Sequence, residues 1–169
     1  MRVVRQVVGA VAALVLLAGC GSDDDGDASG PPPTEADGAA AVSTHESEGT
    51  TYLVDGDGRA LYLWVADTGS ESTCSGACAG AWPPLLTEGD PKAEDDAEQG
   101  ALGTAARADG GTQVTYDGHP LYYYVEDEGE SVAGQGSDGF GAKWWLVDPS
   151  GDAITTDVGG GTDPGGGGY

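Results

Sequence analysis

Basic residues, histidine and the larger aliphatic and aromatic anchors are scarce in this chain of 169 residues. Six Lys and Arg stand against 29 Asp and Glu, a formal charge of −23. Phosphate recognition needs clustered Lys and Arg, so nucleic acid is excluded as a partner, and anionic lipid headgroups repel such a surface. Two histidines, His45 and His119, leave little scope for a catalytic triad, and neither G-x-S-x-G nor H-E-x-x-H occurs. Without C-x-x-C-H there is no covalent haem attachment. The chain is therefore expected to be non-enzymatic and to carry no cofactor. The one Phe leaves the core to Leu, Val, Tyr and Trp, and the one Met is Met1. The apolar run from Val7 to Leu17 is too short to span a bilayer.

What that run does resemble is the core of a signal peptide, preceded by Arg2 and Arg5. It ends in Leu17-Ala18-Gly19-Cys20, which resembles the bacterial lipobox. The resemblance implies cleavage after residue 19 and a diacylated Cys20 as the mature N-terminus. Two acyl chains hold where one does not, because each buried methylene contributes only about 0.8 kcal/mol. The expected location is the cell membrane, lipid-anchored through Cys20 and facing the extracytoplasmic side, with the bilayer as the first partner.

Residues 20–41 are Gly, Ser, Asp and Pro with few apolar side chains, including Pro31-Pro32-Pro33, and read as a disordered acidic tether. Residues 159–169 read as a glycine-rich disordered tail. Between them, residues 42–158 suffice for one small domain with one core.

That domain contains an internal repeat, Tyr52 to Asp67 and Gln113 to Asp127, each with two β-rich runs around an Asp-Gly turn. Asp-Gly supplies the positive backbone angles of tight hairpins. On the outgoing strands Leu61, Leu63 and Val65 alternate with Tyr62 and Trp64, and Leu121, Tyr123 and Val125 with Tyr122 and Tyr124, which suggests burial on both faces. A second aromatic run follows each hairpin, Ala81 to Leu86 and Lys143 to Val147. No stretch has helical periodicity, and Pro91 to Leu102 reads as a loop between copies. The expectation is an all-β fold: a small antiparallel domain of two pseudo-symmetric hairpin-containing repeats, 49–90 and 103–151.

Tyr62-x-Trp64-x-x-Asp67 and Tyr122-x-Tyr124-x-x-Asp127, with Cys74-x-x-x-Cys78-x-x-x-Trp82-Pro83-Pro84 after the first, resemble the secreted lipoprotein repeat family defined by a Y-x-[FWY]-x-x-D motif. Arg107-Ala-Asp-Gly, Thr115-Tyr-Asp-Gly and Gly134-Gln-Gly136 fit its second copy. The resemblance implies location and architecture and carries no activity onto these positions. Counting from each motif Asp, Gly134 and Asp138 stand where Cys74 and Cys78 stand in the first copy.

Three groups of residues are candidates for chemistry. Once Cys20 carries lipid, Cys74 and Cys78 have only each other, and outside the cytoplasm a local disulfide is the default. Closing so short a loop contributes about 2 kcal/mol. The alternative is a redox or copper-handling pair, soft thiolates for Cu(I), which needs a third ligand from His119 or His45. Asp67 and Asp127 read either as caps of the turns they precede or as paired acids of a glycosidase type. Tyr62, Trp64, Trp82, Tyr122, Tyr124, Trp144 and Trp145 read as core or as a platform for a glycan. The function expected is a non-enzymatic envelope module that binds or supports a protein or glycan.

Overall fold

The computed structural model describes residues 38–156 and 158. Cys20, the signal peptide, nearly all of the tether and the glycine-rich tail lie outside the described residues.

The chain is almost entirely β. Its strands are β1 (Ala41–Ser47), β2 (Thr50–Asp55), β3 (Tyr62–Trp64), β4 (Lys92–Ala93), β5 (Leu102–Ala106), β6 (Thr112–Tyr116), β7 (His119–Pro120), β8 (Asp138–Gly139) and β9 (Ala142–Leu146). They form three sheets of three strands, ordered β2-β1-β4, β3-β9-β8 and β5-β6-β7. All pairings of these strands are antiparallel except β1 with β4.

The second Asp-Gly turn forms as its residues dictate. Asp117 and Gly118 have φ of 45° and 79°, and Tyr116 faces His119 across the turn. The first is longer. Asp55 Oδ1 accepts the amides of Asp57 and Arg59, only Gly58 takes a positive φ, and Asp55 Oδ2 accepts the Tyr123 phenol at 2.9 Å. That use of both oxygens makes Asp55 the keystone of a hairpin turn.

Beyond the turns the copies interleave. Tyr62–Trp64 of the first copy pairs with Trp144–Leu146 of the second. Reciprocally, Leu121 to Val125 of the second runs against Ala81 to Leu85 of the first, with Leu85 N donating to Leu121 O, Tyr123 N to Pro83 O and Val125 N to Ala81 O. At the centre Tyr62 and Tyr122 exchange both backbone hydrogen bonds at 2.9 Å. Each copy thus supplies an edge that the other covers, which removes the exposed strand edges a lone copy would present.

Alternation along the outgoing strands separates two cores. Tyr62 and Trp64 enter an aromatic cluster with Trp82, Tyr122, Trp144 and the two cysteines. Leu61 and Leu63 enter an aliphatic one with Val42, Leu53, Leu85, Val114, Leu121 and Val147. Leu53, Leu61 and Leu121 are fully buried, each contributing about 1.5–3 kcal/mol. Val65 departs from the expected pattern: it lies 52% exposed, because the strand ends at Trp64 and only its amide, bonded to Lys143 O, continues the pairing.

Three further features differ from expectation. The first copy begins earlier than Gly49, because Ala41–Ser47 is the strand that pairs with Thr50–Asp55. The connection from Pro91 to Leu102 carries β4, which adds a parallel edge to β1. One short helix, α1 (Ala77–Ala81), follows Cys74 and contains Cys78.

Candidate functional site

The repeated motif is a reciprocal clamp between the copies. The Tyr62 phenol donates to Asp127 Oδ2 at 2.7 Å, and the Tyr122 phenol donates to Asp67 Oδ2. Burial, reinforced by the facing carboxylates, pushes both phenols well above their ordinary pKa, so they remain donors. Asp67 also caps its turn, since its Oδ1 accepts the amide and hydroxyl of Thr73 at 2.8 and 2.7 Å.

The second clamp is incomplete. Ala133 stands where Thr73 stands in the first copy, so no hydroxyl reaches Asp127. The carboxylate lies beside the amides of Ala133 and Gly134, but its buried Oδ1 completes no hydrogen bond among the described residues. Burial raises its pKa, against the Tyr62 hydrogen bond and the Arg59 charge.

Around the first clamp a buried network reaches Arg107, which is 8% exposed. The Ser72 hydroxyl donates to the Tyr122 phenol oxygen at 2.7 Å. Arg107 donates to Ser72 Oγ, Gln113 Oε1, Cys74 O and Asp109. Buried Gln113 then donates to Leu121 O. Every group here has a partner, which is what makes burial of a guanidinium tolerable. Nothing in the local pattern of Arg107-Ala-Asp-Gly marked that residue as the link to the cysteine loop.

Cys74 and Cys78 form a disulfide with Cα atoms 5.3 Å apart, and both are buried in the aromatic cluster. The second copy has no counterpart for a steric reason. A Cβ on Gly134 would stand 2.7 Å from Trp82 Cη2 and 3.0 Å from Tyr62 Cζ. His45 and His119 are half-buried on β1 and β7. Among the described residues, no three His, Cys, Asp or Glu side chains converge as metal ligands. Cu(I) would first require reduction of the disulfide.

Four aromatic rings form a stacked column. Trp64 lies on Trp144 at 5.1 Å between centroids and 7° between planes, Trp144 on Trp82 at 4.0 Å and 2°, and Trp82 on Tyr124 at 4.3 Å and 28°. Tyr62 meets Trp82 edge-on at 5.4 Å and Tyr122 meets Trp144 edge-on at 5.2 Å. Most candidate aromatics are therefore core. Tyr124 and Trp145 are the two left partly exposed.

Tyr124 forms part of the wall of a cleft of about 340 Å³ that His45, Asp57, Arg59, Tyr123, Asp127 and Glu130 also line. The Arg59 guanidinium lies 3.9 Å from the centroid of Tyr123, a cation–π contact that fixes it beside the cleft. Among the described residues it makes no ion pair.

Two interleaved copies, joined by motif side chains that are occupied with one another, define a β-repeat module. The chain belongs to the family Lipoprotein_15, a secreted repeat of unknown function, whose model matches residues 43–86 and 103–148, more than half of its length. The first match includes most of β1. No curated protein and no solved structure matches the chain. Among the described residues, no helix is long and apolar enough to cross a membrane.

Proposed function

We propose that this secreted repeat protein is a lipid-anchored, non-enzymatic binding module of the cell envelope, held at the membrane through Cys20. Its ligand seats in the cleft beside Asp127. The observation that carries the reading is Tyr124: Trp82 covers one face of its ring, yet it remains partly exposed in a cleft whose volume suits a small ligand.

The chemistry of the wall favours a neutral glycan. A tyrosine ring can meet the apolar face of a sugar, while Arg59, Glu130 and Asp57 can donate to and accept from its hydroxyls. Asp127 and Asp67 act as clamps in this reading, because each already accepts a phenol from the opposite copy.

Two measurements test it. Replacing Cys20 with Ala should move the protein from the membrane fraction to the soluble extracytoplasmic fraction, and retention at the membrane would remove the anchor. Titrating the soluble Cys20→Ala chain with chitotriose or cellotriose should shift the NMR signals of Arg59, Tyr124 and Glu130, and Tyr124→Ala should abolish the shifts. Unchanged spectra with both sugars would remove the glycan.

A further inference from the structure

We propose that the column Tyr124–Trp82–Trp144–Trp64 is a one-electron relay, and that the Tyr122–Asp67 and Tyr62–Asp127 pairs beside it are where an oxidising equivalent comes to rest. Apolar packing alone does not call for this arrangement. Filling a core requires volume, whereas two pairs of indoles here lie within 7° of parallel, with a tyrosine bringing one end to the surface. Overlapping π faces favour electron exchange between neighbours and let a positive charge spread over more than one ring.

Two other features suit a positive hole. The rings are shielded from water, with Trp82 and Trp144 almost fully buried. The protein around them carries a large negative charge, which lowers the energy of any cation within its field. Each inner indole also has an edge-on tyrosine whose phenol is already hydrogen-bonded to a carboxylate. A proton acceptor in direct contact with the group it serves is the arrangement that proton transfer requires.

The steps balance with an oxidised transition-metal centre as the electron acceptor. The metal takes one electron through Tyr124 and is reduced by one unit, leaving an indole radical cation on the Trp82–Trp144 pair. Tyr122 then returns one electron to Trp144 while its phenolic proton passes along the hydrogen bond to Asp67. The products are a neutral indole, a neutral phenoxyl radical and a neutral carboxylic acid. The same exchange can run from Tyr62 to Trp82, with Asp127 taking the proton. This second step neutralises both the indole cation and the carboxylate.

The test uses the full chain and photogenerated tris(bipyridine)ruthenium(III) as the oxidant, followed by transient absorption and by electron paramagnetic resonance. The expected result is an indole radical signal that decays as a phenoxyl signal rises, with a slower rise in D2O. The double variant Tyr62→Phe/Tyr122→Phe should lose most of the phenoxyl signal. Asp67→Asn/Asp127→Asn keeps an oxygen acceptor but no base, and should lengthen the indole signal by about a hundredfold. Near-ultraviolet circular dichroism reports whether the variants fold, and the D2O comparison decides the matter on the unaltered chain if they do not. An unchanged phenoxyl yield in the folded tyrosine variant, an unchanged indole lifetime in the folded Asn variant, or no isotope effect would overturn the relay.

Discussion

The Tyr62 phenol donates to the carboxylate of Asp127, 65 residues further along the chain, at 2.7 Å. Tyr122 does the same for Asp67 in the opposite direction. The two halves of each motif therefore meet their partners in the other copy, so that a pattern written twice in the sequence acts as a single lock. Removing either phenol should be costly. Tyr62→Phe and Tyr122→Phe each remove a charge-assisted donor, from half-buried Asp127 and buried Asp67 respectively, and each should lower stability by about 1–3 kcal/mol in urea unfolding. A double-mutant cycle of Tyr62 with Asp127 should show strong coupling, and one of Tyr62 with Asp67 much less.

Ala133→Thr should have the opposite sign. It places in the second copy the hydroxyl that serves Asp67 in the first, at an exposed position with room for it. A gain of about 1 kcal/mol is expected from satisfying Asp127 Oδ1. Unchanged or lower stability would show that this oxygen's lack of a donor has no energetic weight.

Two glycines should respond in contrary ways to alanine. Gly134→Ala drives a methyl into Trp82 and Tyr62 and should cost about 1–3 kcal/mol. Gly80 lies in α1 with open space around its missing side chain, so Gly80→Ala should gain about 0.5–1 kcal/mol. Thermal melting of the two variants is enough to compare them.

Acid should act in two stages. The pKa of Asp127 is raised by burial above its ordinary 3.8, so the native state holds that proton more tightly than the unfolded one. Its contribution is full below 3.8 and lost as pH rises through the raised value. Asp109 is lowered by its hydrogen bond to Arg107, so its contribution is present above 3.8 and lost as pH falls through the lowered value. Urea titrations should show the wild type gaining stability over Asp127→Asn as pH falls towards 4, and Asp109→Asn closing its deficit only in stronger acid. At the alkaline end, the raised phenols of Tyr62, Tyr122 and Tyr123 keep their stabilisation below the ordinary pKa of 10.0 and lose it above. Their phenolate absorbance should therefore appear together with unfolding.

Local chemistry was legible in the sequence and long-range pairing was not. The Asp117-Gly118 turn, the alternation from Leu61 to Trp64 and the Cys74–Cys78 pairing follow from residue type, redox compartment and a period of two. The β1 strand was hidden because Ser43, Thr44, His45 and Glu46 carry little apolar pattern, and its place is set by pairing with β2. The helix at Ala77–Ala81 is too short to show a period. The exchange of partners between Tyr62–Trp64 and Trp144–Leu146 joins residues about half a chain apart, and side-chain spacing carries no record of such a choice. Arg107 was hidden for the same reason, since its partners Ser72 and Cys74 belong to the other copy.

Interleaving is the claim on which the rest stands, and dividing the domain tests it most directly. Residues 38–101 and 102–158, each prepared alone, should lack dispersed amide NMR spectra and near-ultraviolet circular dichroism, and mixing them in equal amounts should restore both. The undivided domain should unfold in a single urea transition. A fragment that folds alone, or two separable transitions in the intact domain, would contradict the account.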